Sequence, residues 1–486
     1  MIPGLHPDPS VCRVDHEFFL VTSWFTYFPG VPIFRSTNLV DWEQIGNVLD
    51  RPSQLDLSRT DEWSSLGVYA PTIRHHDGRF WVITTNVTSA AATSFLVTAE
   101  DPAGPWSDPI VVRVAGIDPD LAWDDDGACW VHFSGMGGIA RCRIDPLTGR
   151  VFAGPDLTWS GTGLQFPEAP HLFEREGTWY LMVAEGGTEG GHGVSVARGP
   201  SPEGPWESAP SNPILSHRST GRPVQNTGHA DMVTAVDGSW WMVLLGVRPR
   251  GVSRGFHVLG RETFLTPVEW EDGWPVPGEL QLDMDFRPPG PGQPVAVAGR
   301  DDFDTAELGP HWVGIRRSPR TVASMRARPG WLVLHGGAAT LDSLEPVFVG
   351  RRQQHELCRV CALVDPGTST ETGLALVMDE TSHYEVGIRH GRIIAKARVG
   401  PLDAVVGDAA CPPGPMVLTI ATEPHPHGPD AVALGYQDDD GLFQALARLD
   451  GRYLSTETTG GFLGRTVGMY AVGGDAAFDW FDYEEA

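Results

Sequence analysis

Five copies of one short pattern constrain this chain more than any other feature. Each is a turn carrying Asp or Glu, usually with Gly, followed by an aromatic pair or near-pair that runs into aliphatic residues. They read Asp15-His-Glu-Phe-Phe-Leu-Val, Asp77-Gly-Arg-Phe-Trp-Val-Ile, Asp126-Gly-Ala-Cys-Trp-Val-His, Glu176-Gly-Thr-Trp-Tyr-Leu-Met and Asp237-Gly-Ser-Trp-Trp-Met-Val. Their starts lie 62, 49, 50 and 61 residues apart, enough for four short strands and their turns per interval. A period of this size in all-β sequence points to a β-propeller, whose four-stranded sheets stand around a central channel. Weaker echoes, Ala103-Gly-Pro-Trp-Ser-Asp-Pro and Glu203-Gly-Pro-Trp-Glu-Ser, mark turns after outer strands. A generic sandwich with Gly/Pro turns has no need of five in-register copies.

The signature opens the second strand of a hairpin, so the strand just upstream is the innermost one and lines the channel. Counting seven or eight residues back from each start reaches Asp8, then Tyr69 or Ala70, Asp118 or Pro119, Glu168 or Ala169, and His229 or Ala230. Equivalent positions face one another across one mouth of the channel, so acids far apart in the chain converge on a single pocket. Asp8 lies between Pro7 and Pro9. Each ring fixes its own φ and biases the preceding residue out of the helical region, which predicts an extended backbone and an aimed carboxylate. Glycoside hydrolysis needs such a set: one ionised carboxylate, one protonated, and environments that separate the two. A third acid near the proton donor can raise it by like-charge repulsion. The competing acids are Asp120, one alternation from Asp118; Asp124 to Asp126, which read as a hairpin turn rather than a calcium loop; and Glu174, Glu176 and Glu185 around the next turn.

Charge narrows the function classes. With 35 basic and 62 acidic residues the formal net charge is −27, which repels a phosphate backbone or an anionic membrane. Nucleic-acid and membrane partners are therefore not expected. Lys396 is the one lysine, a composition we attribute to genomic bias. The 17 Trp suit a β-protein with aromatic-lined ligand surfaces. Six cysteines are too few and scattered for a disulfide framework, and Cys358-Arg-Val-Cys361 lacks the second pair of a zinc site, so these read as buried thiols. Met1-Ile2-Pro3 opens the chain with neither a basic nor an apolar leader segment, and a cytoplasmic location is the expectation.

At 486 residues the chain exceeds what one core fills, so two domains are expected. We place a propeller over residues 1–290. Pro288-Pro-Gly-Pro-Gly-Gln-Pro294 cannot sustain a ladder and marks a linker over 291–299. From Arg300 to residue 486, short alternating runs such as Trp331-Leu-Val-Leu, Leu374-Ala-Leu-Val-Met and Phe478-Asp-Trp-Phe predict a β-sandwich.

Several unlinked stretches in order carry a family resemblance: Gly4-Leu-His-Pro-Asp-Pro-Ser10, Thr22-Ser-Trp-Phe-Thr-Tyr-Phe-Pro-Gly30, Asp50-Arg-Pro-Ser-Gln-Leu-Asp-Leu57, Gly116-Ile-Asp-Pro-Asp-Leu121, Pro167-Glu-Ala-Pro-His171 and Gly260-Arg-Glu-Thr-Phe264. Together they resemble the β-xylosidases of glycoside hydrolase family 43 across essentially the whole chain. The resemblance implies an all-β fold, a five-bladed β-propeller followed by a concanavalin-like jelly-roll sandwich, and an inverting mechanism. By it Asp8 matches the general base, Glu168 the general acid, and Asp118 the third acid that holds up and orients the donor. Phe25 and Tyr69 wall the terminal-sugar subsite, with Tyr69 standing where relatives often place Trp. His229 and Arg261 line the same pocket, Arg261 also helping to orient Glu168, and Trp24 is left open as a contact.

The activity so implied is removal of terminal β-1,4-xylose from xylo-oligosaccharides. The alternatives are α-L-arabinofuranosidase or dual activity, a non-catalytic sugar-binding propeller and a protein-interaction propeller. No cofactor or catalytic metal is required. A structural calcium at Asp302 or Asp479 and a homo-oligomer are left open. The second domain is expected to brace the first, to bind that calcium or to lend a loop to the mouth of the site.

Overall fold

The structure, a computed structural model, describes residues 1–58, 65–88, 92–252, 255–283, 287–292 and 299–486. The first part is built from five four-stranded antiparallel sheets, each ordered as the chain runs. The first comprises Ser10–Val14, Glu17–Val21, Gly30–Ser36 and Glu43–Leu49. The innermost strands of the five are Ser10–Val14, Thr72–His76, Ile117–Trp123, Glu168–Arg175 and Gln225–Thr234. Each borders the next, and the last borders the first. This is a propeller-type arrangement.

The repeated signature explains itself in this setting. Successive strand residues point to opposite faces, so an aromatic pair sends one ring into each flanking seam. Phe18 packs with Trp241 and Val243 of the fifth sheet, and Phe19 with Phe80 and Val82 of the second. Phe80 and Trp81 divide in the same way between the first and third sheets. Asp77-Gly78 and Glu176-Gly177 have φ of 51° and 71°, and of 52° and 77°, the paired left-handed residues of a two-residue hairpin turn. The ring closes through the chain's start: Ile2 bridges Thr263, and the His6 amide donates to the Arg261 carbonyl at 2.9 Å.

One side chain reaches all five innermost strands. Arg74, on Thr72–His76, contacts Asp120 at 2.6 Å, Asp231 at 2.8 Å, His171 Nδ1 at 3.1 Å and Ser10 Oγ at 3.2 Å. Asp231 also accepts from Ser10 Oγ and the Val11 amide, and Asp120 from the Leu172 amide. Burial alone would raise Asp231, but Arg74, with His171 and the Val11 amide, outweighs it and holds the carboxyl down at about 2.

The second part is a sandwich of a six-stranded and an eight-stranded sheet. Leu374 and Leu376 of strand Glu371–Asp379 face the core between the sheets, whereas Ala375 and Val377 pack outward on Leu5, Trp24, Phe25 and Tyr27 of the propeller. One strand thus serves two cores by alternation. The seam is reinforced by Gly314–Ile315 pairing with Tyr27–Phe28 and by Arg352, stacked 3.3 Å from the Trp24 ring and donating to the Leu5 carbonyl at 2.7 Å. Of the expected linker, residues 293–298 lie outside the described residues. All six cysteines are free thiols, Cys358 and Cys361 among the buried ones.

Candidate active site

The acids are aimed by irregular backbone at the start of the inner strands, and not by the extended conformation expected at Asp8. Asp8, Asp118, Ala169 and His229 have φ of 57°, 54°, 51° and 49°. The first three precede a proline, which bars the right-handed helical region but leaves the left-handed one accessible here. The pairing with the second strand shifts register between Ile117 and Asp120, between Glu168 and His171, and between Gln225 and Asp231. Such bulges re-aim side chains, and the left-handed residues store strain of about 1–3 kcal/mol each. Glu168 precedes the left-handed residue of its strand, whereas Asp8 and Asp118 occupy it, which is why a fixed count back from the repeats leaves the register ambiguous.

Asp8, Asp118, Glu168, Phe25, Tyr69, His229 and Arg261 all line one cavity. Asp8 is buried, accepts from Arg261 at 3.1 Å and from Ser23, and lies 3.3 Å from His229 Nδ1. Burial pushes it up, but Arg261, His229 and Ser23 together pull it below the usual carboxylate range. His229 is lowered to about 3 by burial, so a neutral imidazole stands beside Asp8. Asp118 is pushed well above the carboxylate range by burial, then by Glu168 and Asp8. Glu168 rises to about 7 through burial and the charge of Asp8, with Arg261 opposing. Asp118 and Glu168 repel each other as like acids, and Asp8 raises both. Asp118 also accepts from the Ala169 amide at 3.3 Å, tying the segment that carries Glu168.

The competing acids are engaged elsewhere. Asp120 pairs with Arg74 below the pocket; Asp124 caps its hairpin by accepting from the Asp126 and Ala128 amides and Trp130 Nε1. Glu174 accepts from the Gly177 amide, Glu176 pairs with Arg175, and Glu185 accepts twice from Thr162. Asp302 pairs with Arg300 at 2.8 Å, and among the described residues no group of three or more His, Cys, Asp or Glu is placed to hold a metal ion. Trp24 belongs to the seam with the second domain and does not line the cavity. The hydrogen-bond partners of Arg261 are Asp8 and Thr188 Oγ1 at 3.0 Å, so its expected orienting of Glu168 is not made directly.

The sequence reading missed Thr188 and Phe462 as lining residues and His192 beside Glu168. Phe462 comes from the second domain, its ring 5.8 Å from that of Phe25 and stacked at 23°. The Arg261 guanidinium lies 5.2 Å from the Phe462 ring centroid. The loop is held by the Phe462 amide donating to Ser65 Oγ at 3.1 Å and by His257 Nδ1 2.5 Å from Glu457. Gly460-Gly461-Phe462-Leu463-Gly464, an aromatic framed by glycines, was the available signal.

Two carboxyls displaced toward the protonated form beside one held ionised, in a pocket walled by aromatic rings, are the set of groups that glycoside hydrolysis requires. Comparison with known proteins narrows the class. Residues 1–275 match "Glycosyl hydrolases family 43" and residues 300–484 match "Beta xylosidase C-terminal Concanavalin A-like domain". The non-reducing end alpha-L-arabinofuranosidase of Bacteroides ovatus is 38% identical over 509 residues, covering 99% of this chain and 94% of the relative. A xylosidase/arabinosidase of Butyrivibrio fibrisolvens is 36% identical over 523 residues, covering 99% and 97%. The crystal structure of a xylan beta-1,4-xylosidase from Bacillus halodurans superposes with a TM-score of 0.92 at 30% identity, covering 100% of this chain and 99% of that one. The chain belongs to glycosyl hydrolase family 43.

Proposed function

We propose that this chain is an inverting, exo-acting β-xylosidase that removes terminal β-1,4-linked xylose from xylo-oligosaccharides. The five four-stranded sheets are read as five blades over residues 1–290, joined through 291–299 to the sandwich at 300–486. In the reaction Asp8 takes a proton from water as its oxygen attacks the anomeric carbon from below. The glycosidic bond breaks, and Glu168 protonates the departing oxygen. Asp118 stays neutral and anchors the Glu168 segment through the Ala169 amide. Phe25, Tyr69 and Phe462 stack on the apolar faces of the sugar, and Arg261 and His229 hold its hydroxyls and Asp8. Hydrolysis by carboxyls and water calls for no cofactor.

The observation that carries this reading is the opposite displacement of Asp8, below its ordinary range, and Glu168, up to about 7, in one cavity. The rings of Phe25, Tyr69 and Phe462 close around the acids, which suits one terminal sugar rather than a continuous polymer. Six free thiols suit a reducing compartment, and action on short oligosaccharides in the cytoplasm follows as part of the proposal. The second reading, α-L-arabinofuranosidase, is favoured by the relative of that name at 38% identity. A panel of aryl β-xyloside, aryl α-arabinofuranoside and xylobiose on one preparation separates them. Higher kcat/KM on the two xylosides is expected; a higher value on the arabinofuranoside reverses the assignment, and binding without turnover of either makes the protein a sugar-binding propeller.

Because Glu168 must carry a proton, kcat/KM is expected to fall above about pH 7, while its acid limb lies below the ordinary aspartate range. The same displacement costs stability. A carboxyl raised from 4.5 to about 7 favours the unfolded state increasingly as pH rises between those values, by about 3 kcal/mol once above pH 7. Glu168→Gln should therefore melt higher than wild type at pH 8 and no higher at pH 4. A lower melting temperature at pH 8 would place Glu168 in a solvated setting.

A further inference from the structure

His192, just before strand Gly193–Gly199, is 1% exposed, and its Nε2 lies 3.8 Å from Glu168 Oε1. On the other side of the ring, Nδ1 is 3.0 Å from the Asn226 carbonyl oxygen. A carbonyl only accepts, so Nδ1 carries the proton and Nε2 a bare lone pair. That lone pair has no hydrogen-bond partner among the described residues. An orphaned buried acceptor costs about 1–3 kcal/mol, and one aimed at a carboxyl calls for an explanation.

The ring is closely packed. A Cβ on Gly228 would come within 2.3–2.5 Å of three ring atoms, so the imidazole fills space that only a glycine leaves open. The His192 amide donates to the Glu189 carbonyl at 3.1 Å, and its carbonyl accepts from Ser216 Oγ at 2.8 Å. Burial keeps the imidazole neutral, with protonation pushed down to about 4. A fixed, uncharged ring therefore offers Glu168 an acceptor and never a donor.

We propose that His192 is a positioning residue for Glu168, its Nε2 lone pair accepting from the protonated carboxyl and holding it in one rotamer until the leaving oxygen arrives. This rests on the reading of Glu168 as the acid of glycoside hydrolysis. The 3.8 Å separation closes with a shift of the Glu168 carboxyl of about 1 Å, a looseness common between catalytic groups in the absence of substrate. Among the described residues no other group is placed for this task. Asp118 and Asp8 face Glu168 as fellow acids, Arg261 is engaged with Asp8 and Thr188, His229 lies against Asp8, and Tyr69 stands in the wall.

The test compares wild type, His192→Phe, which keeps a ring and removes the acceptor, and His192→Gln, whose amide oxygen can accept in the same place. On xylobiose, whose leaving group needs the acid, His192→Phe should lose about tenfold or more in kcat with KM little changed. On an aryl β-xyloside with a good leaving group the loss should be within about twofold, and His192→Gln should recover most of the xylobiose rate. If His192→Phe keeps the wild-type ratio of the two rates, the proposal falls while the assignment of Glu168 stands. If wild type hydrolyses neither substrate, it is the functional reading that falls. Should His192→Phe not fold, nitrogen NMR of the wild-type imidazole without substrate decides. The expected signature is a proton on Nδ1 and an Nε2 resonance that moves as Glu168 titrates; a proton on Nε2, or no movement, overturns the proposal.

Discussion

Asp8→Ala is expected to lower kcat on xylosides by about 10³- to 10⁴-fold while the protein stays folded and still binds product. The size of the loss follows from the absence of a substitute among the described residues. Asp118 and Glu168 are both displaced toward the protonated form, so neither matches Asp8 as an ionised base. Asp120 and Asp231, the next acids down the channel, are committed to Arg74. Folding should survive because Arg261 keeps Thr188 as a partner and Ser23 is a neutral hydroxyl. Steady-state rates with a parallel thermal melt check both halves, and wild-type turnover by Asp8→Ala would remove it from the base's role.

Arg74→Met carries the largest expected effect on stability. The substitution keeps an apolar stem of similar reach but leaves Asp120 and Asp231, which are 0% and 2% exposed, without the cation that balances them. Breaking a buried pair in this one-sided way costs about 3–5 kcal/mol, here at the point where all five inner strands meet. A fall in melting temperature of roughly 5–15 °C at pH 7 should follow. The deficit should shrink as pH falls, since the cation that has been removed is the main group holding Asp231 down at about 2. A change of less than about 1 kcal/mol would mean that the cluster is solvated and not structural.

The parts of this molecule that repeat were legible in its sequence. Five signatures recur because every strand following an inner one must feed a ring into each of two seams, as Phe18 and Phe19 do. The pocket residues followed from the same period, since a position fixed relative to each repeat is a position around one axis. Conformation at those positions was not legible. Proline flanks restrict Asp8 without choosing between extended and left-handed backbone, and the choice is made by the ring of sheets around it. Nor was the role of Arg74, whose partners lie 46 to 157 residues away and meet it only once the ring has closed. Phe462 was hidden for another reason: it belongs to the second domain, where no propeller period reaches, and it arrives at Phe25 through packing of two separately patterned units. Each miss concerns a contact created by tertiary closure rather than by local pattern.

The most direct test of the central claim, that Asp8 and Glu168 stand on opposite sides of the sugar with water between Asp8 and the anomeric carbon, is the stereochemistry of the first product. Proton NMR of a freshly started reaction on an aryl β-xyloside should show α-xylose appearing first, with the β-anomer growing in only by mutarotation. If β-xylose appears first, the reaction retains configuration, and the division of labour assigned to Asp8 and Glu168 is wrong.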